Sequence, residues 1–262
     1  MKALTIAATG MKAQETNVSV ISNNIANMRT TGYKSQRANF QDLLYQTLRR
    51  QGSSTSDAGT QVPAGVQLGS GVRVVATPRN MTQGDPESTG NEKDVAIRGE
   101  GFFQITLPDG RTAYSRDGSF ELDSTGTLVT ADGYTVQPAI TVPQNASGLT
   151  ISNTGQVQAK IGNDSSMTVL GQIELARFVN KNGLEPMGDN LFLETASSGP
   201  AQTGSPGDAG YGTLLQGYLE SSNVEAVSEL SSLISAQRAY EMNSRIISAA
   251  DQMSQTTSNL GK

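Results

Sequence analysis

The two ends of this 262-residue chain carry one apolar period, and the middle carries another. Leu4, Met11, Val18 and Ile25 are spaced by seven. Ala7, Ile21 and Met28 continue a companion row in which Gln14 is the polar member. These rows predict a helix with a coiled-coil-like a/d seam over about four heptads. It should stop at Thr30-Thr31-Gly32, because glycine is the usual residue just past a helix end. At the other terminus, over roughly 219–262, Leu233, Tyr240 and Ile247 form one row of sevens. Ile246, Met253 and Leu260 form a second, and Val227, Leu230 and Ile234 widen the apolar side near the helix start. Two adjacent rows make a broader face than a two-helix seam needs. Either stripe alone fits an ordinary amphipathic helix lying on its own core. Two such ends around a β-rich middle predict a subunit that polymerises through its termini.

Charge agrees with pairing of the ends. Residues 1–50 hold seven basic and two acidic side chains, and residues 219–262 hold three basic and five acidic ones. Opposite signs favour register, although each exposed pair is worth only about 0–1 kcal/mol. Asn23, Asn24 and Asn27 fall close together on the first helix, where asparagine is a mediocre helix former. Two readings stay open for them: buried amides that fix register between helices, or amides facing water near a fraying end.

Between the helices the pattern changes to strands and turns. Phe40, Leu43, Leu44 and Leu48 have helical spacing and suggest a short second helix or a packed linker. Residues 51–70 are small, polar and Gly-rich and read as a loop or extended arm. From about 95 to 195 the signals are strand-like runs such as Val95-Ala96-Ile97 and Phe102-Phe103-Gln104-Ile105. Asp-Gly pairs at 109–110, 117–118 and 132–133 are hairpin signals, because both residue types tolerate positive φ. Residues 197–213 are rich in Gly, Pro, Ser and Ala and read as a return linker. The predicted class is α+β: long terminal helices in a coiled-coil-like domain, and a mostly antiparallel β middle domain. The expected domains are 1–33 with 218–262 as the helical part, and 34–94 as a connecting segment with an arm at about 49–71. A β-rich outer domain at 95–196 and a linker at 197–217 complete them.

Composition excludes several function classes. The chain has no cysteine and no histidine. Disulfides, thiolate or His-ligated metal sites and Ser-His-Asp or Cys-His centres are therefore ruled out. A formal charge of −5 argues against nucleic acid as a main partner. No run approaches the ~18 apolar residues of a membrane span. The N-terminus lacks the continuous apolar run of a Sec-type signal, since Thr5, Thr9, Lys12, Gln14 and Glu15 interrupt it. Work outside the cytoplasm would need another export route. Carboxylates remain as candidate acids and bases, and Asp117, Glu121, Asp123 and Asp132 cluster in sequence. Their place beside Gly and in turns reads as hairpin corners, and they miss the calcium-loop spacing. Gly69-Ser70-Gly71 and Gly99-Glu100-Gly101 lack the following helix of a phosphate loop. No catalytic, cofactor or metal site is expected.

Three stretches carry a family resemblance. Leu4–Gln14, Ile21–Asn27 and Thr30–Lys34 closely resemble the N-terminal motif of bacterial flagellar rod and hook proteins. Gly217–Glu225 and Gln237–Ser244 look like that family's C-terminal motif. Ala96–Phe103 and the Tyr114–Gly118 turn are similar to its shared middle segment. Within the family, Gln61–Val72 and Leu184–Asn190 look like the distal-rod type, with a proximal-rod or hook-type subunit as the alternative.

The resemblance implies a self-assembling structural subunit of the basal-body rod, a rigid drive shaft spanning the periplasm. It also implies export through the flagellar type III apparatus. The partners it implies are copies of the chain itself, proximal-rod proteins, the hook protein, and the peptidoglycan and outer-membrane ring proteins. The inter-subunit contacts are then expected at Leu4, Met11, Val18, Ile21, Asn24, Ile25, Asn27, Met28, Leu230, Leu233, Tyr240, Ile247 and Met253. A rod-straightening arm is expected at Val62, Pro63, Val66 and Leu68. A peptidoglycan-cleaving carboxylate enzyme and a secreted adhesin are the competing classes. Aromatics make up only 5% of residues, which leaves little material for an adhesive patch.

Overall fold

The computed structural model describes residues 2–52, 64–162 and 167–260. Val62, Pro63 and the Leu260 side chain lie outside the described residues. The class is α+β, with two long helices and antiparallel sheets. The chain divides into two compact units. One comprises Met1–Ile25, Gln36–Pro78 and Glu225–Lys262, and the other Ala26–Ser35 and Arg79–Val224.

The first unit holds α1 (Lys2–Ala26) and α2 (Ala226–Leu260). The alanines and straight-chain residues of α1 have high helix propensity, and no proline interrupts either helix. Past α1 the chain turns, and Gly32 sits at φ 67°, a backbone region that only glycine enters cheaply. α2 begins later than the apolar spacing implied, because Tyr218–Glu220 is a strand paired with Pro86–Ser88. The stretch expected as a second helix or packed linker is instead two strands, Asn39–Asp42 and Tyr45–Arg49. They pair antiparallel with Val72–Ala76 and Val66–Gly69. A helix there would need an apolar partner for its Phe40-Leu44-Leu48 side. The strands instead satisfy their backbone groups across a ladder and leave those side chains exposed.

The second unit is built on a nine-stranded antiparallel sheet. Its central strand, Phe102–Thr106, is buried on both faces. Phe103 enters one core with Val95, Ile97, Phe120, Leu128, Ile173, Leu175 and Leu214. Phe102 points the other way, toward Tyr114, Phe178 and Phe192, as alternation along a strand requires. A three-stranded meander, Ala146–Ile151, Gln156–Ile161 and Met167–Gln172, adds Leu149, Ile151 and Val157 to the first core.

Two of the three Asp-Gly pairs make hairpins. Asp109-Gly110 joins Phe102–Thr106 to Thr112–Ser115, and Asp132-Gly133 joins Leu128–Thr130 to Thr135–Gln137. Asp117-Gly118 does not, because the next strand, Phe120–Leu122, pairs with Leu128–Thr130. Gly118 is needed for a different reason: a Cβ there would lie 1.7 Å from the Val95 carbonyl oxygen. Part of the stretch expected as a linker is also strand. Gln202–Gly204 pairs with Leu175–Arg177, and Thr213–Gln216 with Val95–Arg98.

Candidate functional site

Two features stand out, an incompletely covered helix pair and a buried ionic cluster. In the first unit, Gly10 lies against α2 so closely that a Cβ would be 3.0 Å from Asn243 Nδ2. Farther along, Asn24 Nδ2 donates to Glu229 Oε1 at 3.2 Å. Moving up α1 from Gly10 to Asn24 moves the contact down α2 from Asn243 to Glu229 by the same number of residues. The helices therefore run antiparallel.

Asn24 is 1% exposed. Its amide also donates to the Gln36 carbonyl at 2.8 Å and accepts from the Gln36 amide at 2.9 Å. Of the two readings open for the asparagines, burial holds for Asn24, while Asn23 is exposed and Asn27 half-buried. The less exposed row of α1 includes Gly10, Ala13, Asn17, Val20 and Asn24. On α2 it includes Glu229, Leu233, Ala236, Ala239, Asn243 and Ile247. Much of this row is small or amide-bearing, so the large apolar residues do not mark it.

The residues expected at subunit contacts fall into two groups. Ile21 is buried, and Leu4, Met11, Val18, Ile25, Leu233 and Ile247 are half-buried. Met28 lies beyond the end of α1 and is exposed, as are Leu230, Tyr240 and Met253. Val227, Ile234, Met242 and Ile246 are exposed too, at 78%, 45%, 60% and 49%. Val66 and Leu68 sit on an exposed strand.

The second unit contains a cluster that reading the residues one by one did not find. Lys34 Nζ is paired with Glu220 Oε1, and Arg116 Nη1 donates to Glu220 Oε2 at 3.1 Å. All three side chains are at most 3% exposed. Glu220 Oε1 also accepts from the Gly84 amide at 2.9 Å. Lys34 donates to the Thr82 carbonyl and Arg116 to the Gly99 carbonyl, each at 2.8 Å. Arg116 Nε is buried with no hydrogen-bond partner. Two cations thus share one carboxylate. Burial pulls Lys34 below the ordinary lysine value, while the Glu220 carboxylate acts in the opposite direction.

Around the cluster, two chain segments run together. The Gly32 amide donates to the Glu220 carbonyl at 2.7 Å, and the Ser35 amide to Asn223 Oδ1 at 2.7 Å. Asn223 Nδ2 donates to the Asn80 carbonyl at 2.8 Å. The Arg79 guanidinium lies over the rings of Tyr33 and Phe192, 5.9 and 5.6 Å from their centroids.

Of the carboxylates considered for catalysis, Glu121 lies on the Phe120–Leu122 strand, and Asp117 and Asp123 serve turns. Asp123 accepts from the Thr125 and Thr127 amides, and Asp117 from the Ser119 amide. The hydroxyl of Thr125 holds Asp123 below the usual carboxylate value. No helix among the described residues is long and apolar enough to cross a membrane.

Comparison with known proteins covers both helices and the β region. A family model described as flagella basal body rod protein matches residues 4–34. The flagellar hook protein FlgE/F/G D1 domain matches residues 96–159, and the flagellar basal body rod FlgEFG protein C-terminal matches 215–260. Lys34, Arg116 and Glu220 fall one in each of these segments. The flagellar basal-body rod protein FlgG of Caulobacter vibrioides is 57% identical over 260 residues, 99% of each chain. That of Agrobacterium fabrum is 54% identical over 258 residues, 98% of each chain. The rod protein FlgF of Caulobacter vibrioides is 32% identical over 248 residues, 93% of this chain and 91% of its own. The chain belongs to the FlgG family of flagellar basal-body rod proteins.

Proposed function

We propose that this structural subunit assembles helically through its terminal helices into the distal rod, a stiff shaft that carries motor torque across the periplasm to the hook. Its family is one of rod proteins, and the chain is not an enzyme. The supporting observation is the row of large apolar side chains that α2 leaves in water: Val227, Leu230, Ile234, Met242, Ile246 and Met253. Covering what remains exposed of six such side chains contributes on the order of 5 kcal/mol per subunit. Neighbouring copies are the natural cover, with α1 and α2 packed as a coiled-coil-like wall.

Within that wall the subunit contacts run through Leu4, Met11, Val18, Ile21, Asn24, Ile25, Asn27 and Met28 of the N-terminal segment. Those of α2 are Leu230, Leu233, Tyr240, Ile247 and Met253. The segment with Val62, Pro63, Val66 and Leu68 acts as an arm between subunits that keeps the shaft straight. Its chemistry supports this: Val66 and Leu68 are apolar and stand exposed on a two-stranded ribbon. The partners are proximal-rod proteins below, the hook protein above and the two ring proteins around the shaft. The subunit reaches the periplasm through the flagellar type III apparatus. Identity favours the FlgG over the FlgF type, at 57% against 32%.

Electron microscopy of the purified chain at high concentration tests this reading. Straight tubes are expected from the parent and none from Val18→Asp or Ile247→Asp, both with unchanged β-sheet circular dichroism. Normal tubes from both variants would remove the helical seam from the account.

A further inference from the structure

The Lys34–Glu220–Arg116 cluster has no part in covering the helices. Its electrostatics are poor for a stabilising device. Each buried ion costs several kcal/mol of desolvation, and here two cations share a single carboxylate while Arg116 Nε is unpaired. Apolar side chains of similar volume would fill the same space at no such cost.

What the cluster does have is connectivity. Lys34 lies on the segment that follows α1, and Glu220 on the segment that leads into α2. Arg116 belongs to the β-sheet unit, just after the Thr112–Ser115 strand. The backbone there leaves no slack. A Cβ on Gly84 would meet the Ser221 carbonyl oxygen at 1.9 Å, and one on Gly32 the Asp117 amide at 2.9 Å. Hydrogen bonds from Gly32 to Glu220, from Ser35 to Asn223 and from Ser221 to Asp85 tie the same segments together.

We propose that Lys34, Arg116 and Glu220 form a positioning clamp that holds both segments, 30–35 and 218–224, in one geometry against the sheet of their unit. It specifies how these segments lie on the sheet and adds little to stability. The charges demand particular partners and directions, whereas an apolar filling would accept several arrangements. The inference concerns the subunit alone, so failure of tube formation would overturn the rod reading and leave this one standing.

The chain has no cysteine, so spin labels can be placed cleanly. Arg29→Cys just before the first segment and Glu121→Cys on the sheet, both exposed, report the distance between segment and sheet. Pulsed electron resonance should give one narrow distance distribution in the otherwise unchanged chain. In the apolar triple variant Lys34→Met/Arg116→Met/Glu220→Leu, the distribution should become roughly twofold broader, with the melting temperature unchanged or raised. If that variant does not fold, Lys34→Met alone is read instead, and broadening is again expected. An unchanged width in whichever variant folds would overturn the proposal. So would a large loss of stability at unchanged width, which would make the cluster a stabilising element.

Discussion

Lys34 shows what burial does to a charge in this chain. Desolvation lowers its folded-state value below the ordinary 10.5, so the unfolded chain binds the proton more tightly. Between the folded value and 10.5 this group holds more protons in unfolded chains than in folded ones, so its contribution to stability rises with pH across that window, against the opposite contribution of Tyr114, which burial holds above 10.0. Urea unfolding of the β-sheet unit at a series of alkaline pH values should show parent stability rising relative to that of Lys34→Met. No difference in slope between the two would contradict the assignment. Glu220→Gln is the opposite case. It leaves two buried cations without a carboxylate and should cost about 3–5 kcal/mol, clearly more than Lys34→Met. The denaturant midpoints of the two variants decide the order. None of this was legible residue by residue. Lys34 and Glu220 are 186 positions apart, and each reads alone as a solvated charge beside a turn. The three members do lie within the stretches that carried the family resemblance, so the motif flagged the positions while their contact stayed hidden.

At the scale of elements, the long helices were the clearest signal, because a seven-residue apolar period sustained over several turns matches a helix and no strand. Which side of each helix faces the other was not legible. Gly10, Ala13, Asn17 and Asn24 carry no strong hydrophobic signal, although Gly10 and Asn24 lie directly against α2. Phe40, Leu44 and Leu48 misled for a related reason: spacing by four marks a helix only if the stripe is buried, and here it is not. Asp-Gly identified two hairpins correctly and failed at Asp117-Gly118, where the glycine answers a long-range approach by Val95. The helices therefore offer two kinds of substitution. Asp at Leu230 or Ile246 stays in water in the free chain and should leave its helical circular dichroism intact while abolishing tubes. Asp at Val20 would be buried and should lower the stability of the helix pair by several kcal/mol. Equal effects of the three substitutions on the free chain would contradict the division into covered and uncovered sides.

For the whole molecule, the account separates a β-sheet unit with its own core from terminal helices that lack enough partners. Burial within each unit supports this. Side chains such as Phe103, Ile97 and Leu175 are fully covered in the sheet core, whereas among the described side chains of α2 Ala236 is the buried apolar one. The arm offers a separate test. Removing residues 52–60 should leave folding and export unchanged and make the shaft more flexible. Tubes of normal straightness and bending stiffness from that deletion would count against a mechanical role. The central claim is that neighbouring copies complete the terminal helices. Hydrogen exchange followed by mass spectrometry, on dilute monomer and on sedimented tubes, tests it most directly. The account predicts rapid exchange across 227–253 in the monomer, strong protection of the same amides in tubes, and protected sheet strands in both. Full protection of α2 in the dilute monomer, with no further change on assembly, would contradict it.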